Sequence, residues 1–144
     1  MKKDSKHEIL DKAKIELLKS LKHLKYSYNK TRKISLNQKR LENEQVLESF
    51  EGLASRFSRT SDIFISRYLR TFILIREPGF RGSLLDYLNQ AEKLGLIENA
   101  TLWAEIREIR NSASHKYSFT DLVVFFGRLV ELTPHLLKLK DSFT

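Results

Sequence analysis

VLESFEGLASRFSRTSDIFISRYLRTFILI, residues 46–75, decides the fold. Val46, Phe50, Leu53, Phe57, Ser61, Phe64, Tyr68, Phe72 and Ile75 step by four and three throughout. Side chains at that spacing share one face of a helix. The stripe predicts a helix from about Leu41 to Arg76 with its aromatic side chains in the core. A straight helix of that length would reach about 50 Å at 1.5 Å per residue. A bend or break is therefore expected, and Ser58-Arg59-Thr60-Ser61 is the place, because hydroxyl side chains compete with the helical backbone. A stripe this long also suits a helix shared between two subunits.

Upstream, Leu10, Ala13, Leu17, Leu21, Leu24 and Tyr28 recur at helical spacing between about Ser5 and Tyr28, with lysines on the other faces. Residues 29–38 (NKTRKISLNQ) interrupt the pattern and read as a polar connection. Downstream, Glu77-Pro78-Gly79-Phe80-Arg81-Gly82 stops the long helix. Ser83 to Asp86 has the spacing of a capping box, with Asp in the place of Glu or Gln. It opens a short helix over about 84–94 that ends at Gly95. Asn99 is placed to cap a further helix bearing Leu102, Ile106, Ile109 and Ala113. Ser118 to Asp121 starts the last helix, with Leu122, Phe125, Phe126, Leu129, Val130 and Leu136 inward and Pro134 bending or ending it. No strand-like alternation persists and no internal repeat appears. The expected fold is all-α: an antiparallel bundle of about five helices in one domain spanning 1–144.

Composition narrows the chemistry. With no cysteine in 144 residues, disulfides, thiolate catalysis and Cys-based zinc sites are excluded. His7, His23, His115 and His135 are scattered without ligand spacing, so no metal site is expected. No apolar segment approaches the roughly 20 residues that span a bilayer. Lys2 and Lys3 are not followed by an apolar stretch, so no signal peptide is read and a cytoplasmic location is expected. Charge is unevenly spread. Residues 1–40 hold 13 Lys and Arg against 4 Asp and Glu, whereas residues 41–144 hold 13 against 14. A basic N-terminal segment on a near-neutral body is the footprint of a polyanion-binding protein, with RNA the first candidate. A solvated lysine face that only aids solubility has the same composition.

One cluster carries potential chemistry: Arg107-Glu108-Ile109-Arg110-Asn111-Ser112-Ala113-Ser114-His115-Lys116-Tyr117. Metal-free RNA cleavage requires a group that moves protons near neutral pH, which histidine does. It also requires a permanent cation for the charge growing on the phosphoryl oxygens, which arginine supplies with a planar fork. Arg110 and His115 provide both. On an ideal helix they would sit about 140° apart, whereas Asn111 and His115 would share a face. Arg110 and His115 therefore converge only if the helix ends nearby or a second subunit completes the site. The small Ser112, Ala113 and Ser114 allow close approach of another helix, so a two-fold seam is the economical arrangement. The plainer alternatives are Arg110 pairing with Glu105 or Glu108, and His115 acting as a C-terminal helix cation.

At these residues the sequence resembles the HEPN superfamily, whose signature is Arg-x4–6-His, often with a polar residue after the Arg. Lys116-Tyr117 extends it to Arg-x4-His-x-Tyr, the form seen in HepT toxins. The upstream stretches FEGLASRFSRTSDIFISRYL, GSLLDYLNQAEKLGLI and WAEIREIRN are similar to HepT-type proteins too, so the resemblance covers roughly residues 45–135. It implies a homodimeric, metal-independent endoribonuclease, the toxin of a type VII-like toxin–antitoxin pair, needing no cofactor. It also implies a partner nucleotidyltransferase, MNT, that neutralises the toxin by transferring AMP from ATP to the motif tyrosine. Carried over, Arg110 and His115 are catalytic, Asn111 supports them and Tyr117 is the AMP acceptor. Lys116, Lys22, Lys25, Arg32 and Lys33 are the RNA-binding candidates. Two other readings stay open: a non-catalytic partner subunit of a nucleotidyltransferase, and a structural helical interaction protein.

Overall fold

The computed structural model describes residues 5–143 apart from 113–117, and of Asn111 and Ser112 the backbone alone. Among the described residues all regular structure is helical. In chain order the elements are α1 (Ser5–Thr31), α2 (Gln38–Leu41), α3 (Glu44–Asp62), a π-helical segment (Ile63–Leu69), α4 (Arg70–Arg76), α5 (Leu84–Lys93), α6 (Ala100–Ser112), α7 (Phe119–Leu137) and a closing 3₁₀ segment (Lys138–Phe143). The run from Glu44 to Arg76 is continuous, so the long second helix read from the stripe exists.

Its irregularity lies a turn later than the hydroxyl-rich stretch suggested. Residues 58–61 are ordinary α-helix, and the backbone widens to π at Ile63. Two of the Thr60 hydroxyl's contacts explain the difference. Thr60 donates to the Arg56 carbonyl at 2.8 Å and meets Ser20 Oγ of α1 at 2.6 Å, so it supports the helix packing rather than breaking the helix. A π turn holds more residues than an α turn. The buried face accordingly shifts by a residue: Ile73 is fully buried where the stripe predicted Phe72, and both Phe72 and Ile75 are half-exposed. From Val46 to Tyr68 the stripe is buried as read.

The core forms where α1, α3 and α7 pack against one another. Ala13, Leu17, Leu21 and Leu24 of α1 are buried there, as are Phe125, Phe126, Leu129, Leu132 and Leu136 of α7. Phe50 stacks on Phe126 at 5.3 Å, and Phe64 packs against Trp103 of α6 at 4.7 Å. Aromatic pairs at these distances add to the burial of their large side chains.

Local signals fix the ends. The Asn43 side chain accepts from Gln45 N and Val46 N to start α3. The Ser83–Asp86 capping box closes both ways, and a Cβ on Gly82 would meet the Asp86 side chain at 2.6 Å. Gly95, at φ +79°, ends α5 with Leu96 N on Ala91 O and Gly95 N on Glu92 O, the paired bonds of a Schellman turn. Asn99 and Ser118 cap α6 and α7 as expected. Two expectations are corrected. Residues 29–31 belong to α1 and residues 38–41 form a one-turn helix, so the polar connection is shorter than read. Pro134 does not end α7, which continues to Leu137. The proline forfeits the single bond its N–H would have given to Val130 O, and Thr133 beside it donates its hydroxyl to Leu129 O.

Candidate functional site

Ala100, Trp103 and Ile106 bury one side of α6. Arg107 and Arg110, three residues apart, extend that same face past the apolar residues to the end of α3. Asp62, the last residue of α3 and the first before the π segment, receives them. Arg110 Nε donates to Asp62 Oδ1 at 2.8 Å and Nη2 donates to Oδ2 at 2.7 Å. Arg107 Nη1 adds a longer contact to Oδ1 at 3.4 Å. The Arg110–Asp62 pair is thus a two-point fork, the geometry in which guanidinium and carboxylate bind best. Both side chains are about a third exposed, 36% and 35%. Hydrogen bonding to Asp62 raises the Arg110 pKa further above its ordinary value, so the group is a permanent cation.

A second fork lies further back on the same helix. Arg128 of α7 places Nε and Nη2 on the two oxygens of Glu105, at 2.5 and 2.6 Å, and Nη1 on Glu131 at 2.9 Å. The bonds from Arg128 hold the Glu105 carboxyl below the usual carboxylate range. Of the two carboxylates named as plain partners for Arg110, Glu105 is therefore engaged by Arg128. The carboxylate that takes the Arg110 fork is 48 residues away in sequence.

The positions expected to work with Arg110 divide as follows. His115, Lys116 and Tyr117 lie outside the described residues, and so does the side chain of Asn111. Lys22, Lys25, Arg32 and Lys33 are exposed on or just after α1. Sequence reasoning missed Asp62, although a signal was present: it is the only carboxylate between Glu51 and Glu77. It also missed the Arg128–Glu105 fork. Among the described residues, no group of three or more His, Asp and Glu is placed to hold a metal, and no helix is long and apolar enough to cross a membrane.

Chemically, the fork does one definite thing. It fixes the plane and position of the Arg110 guanidinium through two of its five N–H donors. A guanidinium held in a fixed plane is pre-organised to meet the oxygens of an anion such as a phosphate. Compared with known proteins, the chain matches no family model and no curated protein.

Proposed function

We propose that the chain is a metal-independent endoribonuclease of the HEPN kind, similar to the HepT toxins, acting as a homodimer on cellular RNA. The observation that carries the proposal is the motif Arg110-x4-His115-x-Tyr117 on an all-α chain whose motif arginine is held by a long-range carboxylate fork. His115 takes the proton from the ribose 2′-hydroxyl, or returns one to the leaving 5′-oxygen, as the 2′-oxygen bonds to phosphorus and the P–O5′ bond breaks. Arg110 binds the non-bridging oxygens and stabilises the charge that grows on them. Asn111 orients His115 or contacts phosphate. In this reading a partner MNT nucleotidyltransferase transfers AMP from ATP to the Tyr117 hydroxyl, with pyrophosphate leaving. The added phosphate then occupies the arginine by charge and the RNA path by bulk. Lys116 and the lysines of α1 supply backbone contacts, and the site of action is the cytoplasm.

The test is inducible expression of wild type, Arg110→Ala and His115→Ala, with growth and total RNA followed after induction. Arrest with RNA cleavage by wild type alone supports the proposal. Identical behaviour of all three removes it.

One observation favours a second reading. The Arg128–Glu105 pair shows that this fold uses arginine–carboxylate forks to tie helices together. Arg110 would then be such a tie in a non-catalytic partner subunit or helical interaction protein. In that case Arg110→Ala lowers stability, His115→Ala changes nothing, and complex formation with a nucleotidyltransferase persists in His115→Ala.

A further inference from the structure

From Leu17 to Leu41 the chain carries eight Lys and Arg and no Asp or Glu. The fold sets three of these eight charges on one side of α1. Lys19, Lys22, His23, Tyr26 and Lys30 fall within an arc of about 100° on α1, along about 16 Å of axis. All five are exposed, while Leu17, Leu21 and Leu24 occupy the core side. None of Lys19, Lys22, Lys25 and Lys30 forms an ion pair with a described residue.

A lysine face alone is an ordinary solvated surface. Tyr26 is not ordinary. It is 66% exposed in the middle of the stripe, and among the described residues it is the one exposed large apolar side chain between Leu17 and Leu41. Its neighbourhood is built rather than loose. Arg56 reaches from α3 and donates Nη1 to His23 O at 3.1 Å and to Ser27 Oγ at 2.9 Å. Its guanidinium carbon then lies 5.8 Å from the Tyr26 ring centroid. A cation anchored to α1 therefore borders a ring held out in solvent. Beyond Lys30 the surface continues into a groove lined by Lys30, Arg40, Asn43, Gln45 and Ser49, with Glu48 as its one carboxylate.

We propose that this face is a docking surface for single-stranded RNA, with phosphates on Lys19, Lys22 and Lys30 and an unstacked base on Tyr26. Lysines spaced along a backbone and an exposed aromatic between them are what a single strand binds. A duplex would engage the lysines and leave the ring unused, because its bases are already stacked. A membrane surface would call for exposed aliphatic side chains, which this stretch lacks. The choice of RNA among single strands rests on the ribonuclease reading, whereas the surface rests on charge and Tyr26.

The test is fluorescence anisotropy with a labelled 2′-O-methyl oligouridine, which the chain cannot cleave, so binding is read apart from catalysis. Saturable, salt-dependent binding is expected. Tyr26→Ala should weaken it about tenfold, and Lys22→Glu with Lys30→Glu should weaken it more and flatten the salt dependence. Arg81→Glu with Lys93→Glu, an equal charge change on exposed positions before and on α5, should leave it within about twofold. The same titration is run with duplex DNA and with phosphatidylserine vesicles. The surface is refuted if no oligouridine binds, if Tyr26→Ala binds as wild type, if both charge pairs act alike, or if duplex or vesicles bind as well with no dependence on Tyr26. Binding through Tyr26 by a chain that cleaves no RNA would keep the surface and remove the ribonuclease reading.

Discussion

Replacing Asp62 by Asn leaves a side chain of the same shape at the end of α3 but breaks its match to Arg110. The amide keeps one acceptor for Nε and sets an N–H₂ group against Nη2, where the carboxylate had its second oxygen. An exposed ion pair contributes ~0.2–1 kcal/mol, because water and salt screen it. A two-point, charge-assisted fork is stronger than that. Here each side chain is about a third exposed, so the coupling between Asp62 and Arg110 should be ~1 kcal/mol. The assay is a double-mutant cycle by urea denaturation: wild type, Asp62→Asn, Arg110→Ala and the combined variant. Asp62→Asn should lower Tm by ~2–4 °C for a chain of this size. The coupling should shrink in 1 M salt, where the Debye length falls to ~3 Å. Cleavage should fall by about tenfold or more in Asp62→Asn, because a displaced arginine no longer meets the phosphate. Strict additivity, with a coupling below ~0.3 kcal/mol, would refute the reasoning and leave the fork a crossing of helices without energetic weight.

Other perturbations test the fold. Phe57 is fully buried on α3, so Phe57→Ala should cost ~3–5 kcal/mol in a urea titration. Asn43→Ala removes the acceptor for Gln45 N and Val46 N at the start of α3, and should cost ~1 kcal/mol by thermal unfolding. Hydrogen bonds from the Ser83 backbone, then from its side chain, hold the Asp86 carboxyl below its ordinary 3.8. A lowered folded-state pKa stabilises above the unfolded value and ceases to stabilise as pH falls through the folded one. The acid loss of stability below pH 3.8 should therefore be shallower in Asp86→Asn than in wild type, read by circular dichroism against pH.

The fold was readable because its main signal is periodic and local. The stripe from Val46 to Tyr68, the caps at Ser83, Asn99 and Ser118, and the glycine at 95 each act through neighbours in sequence. What was missed depends on residues far apart. The π segment that shifts burial from Phe72 to Ile73 has no periodic signature of its own, since it appears only as a slip in register. Thr60 looked like a helix breaker until Ser20, forty residues earlier, supplied a buried partner. The site was half readable. Arg110 stood out as part of a motif, but its carboxylate lies on another helix, and only the isolation of Asp62 in an acid-free stretch hinted at it.

The most direct measurement of the central claim is cleavage by the purified chain of a defined, end-labelled RNA in the presence of EDTA, with Arg110→Ala and His115→Ala alongside. Circular dichroism should show all three folded. The account expects the wild type to cut and to leave 2′,3′-cyclic phosphate ends, with a pH dependence that reports one histidine and with both variants reduced by at least about a hundredfold. Equal cutting by all three, or none by a folded wild type freed of any AMP on Tyr117, would contradict it.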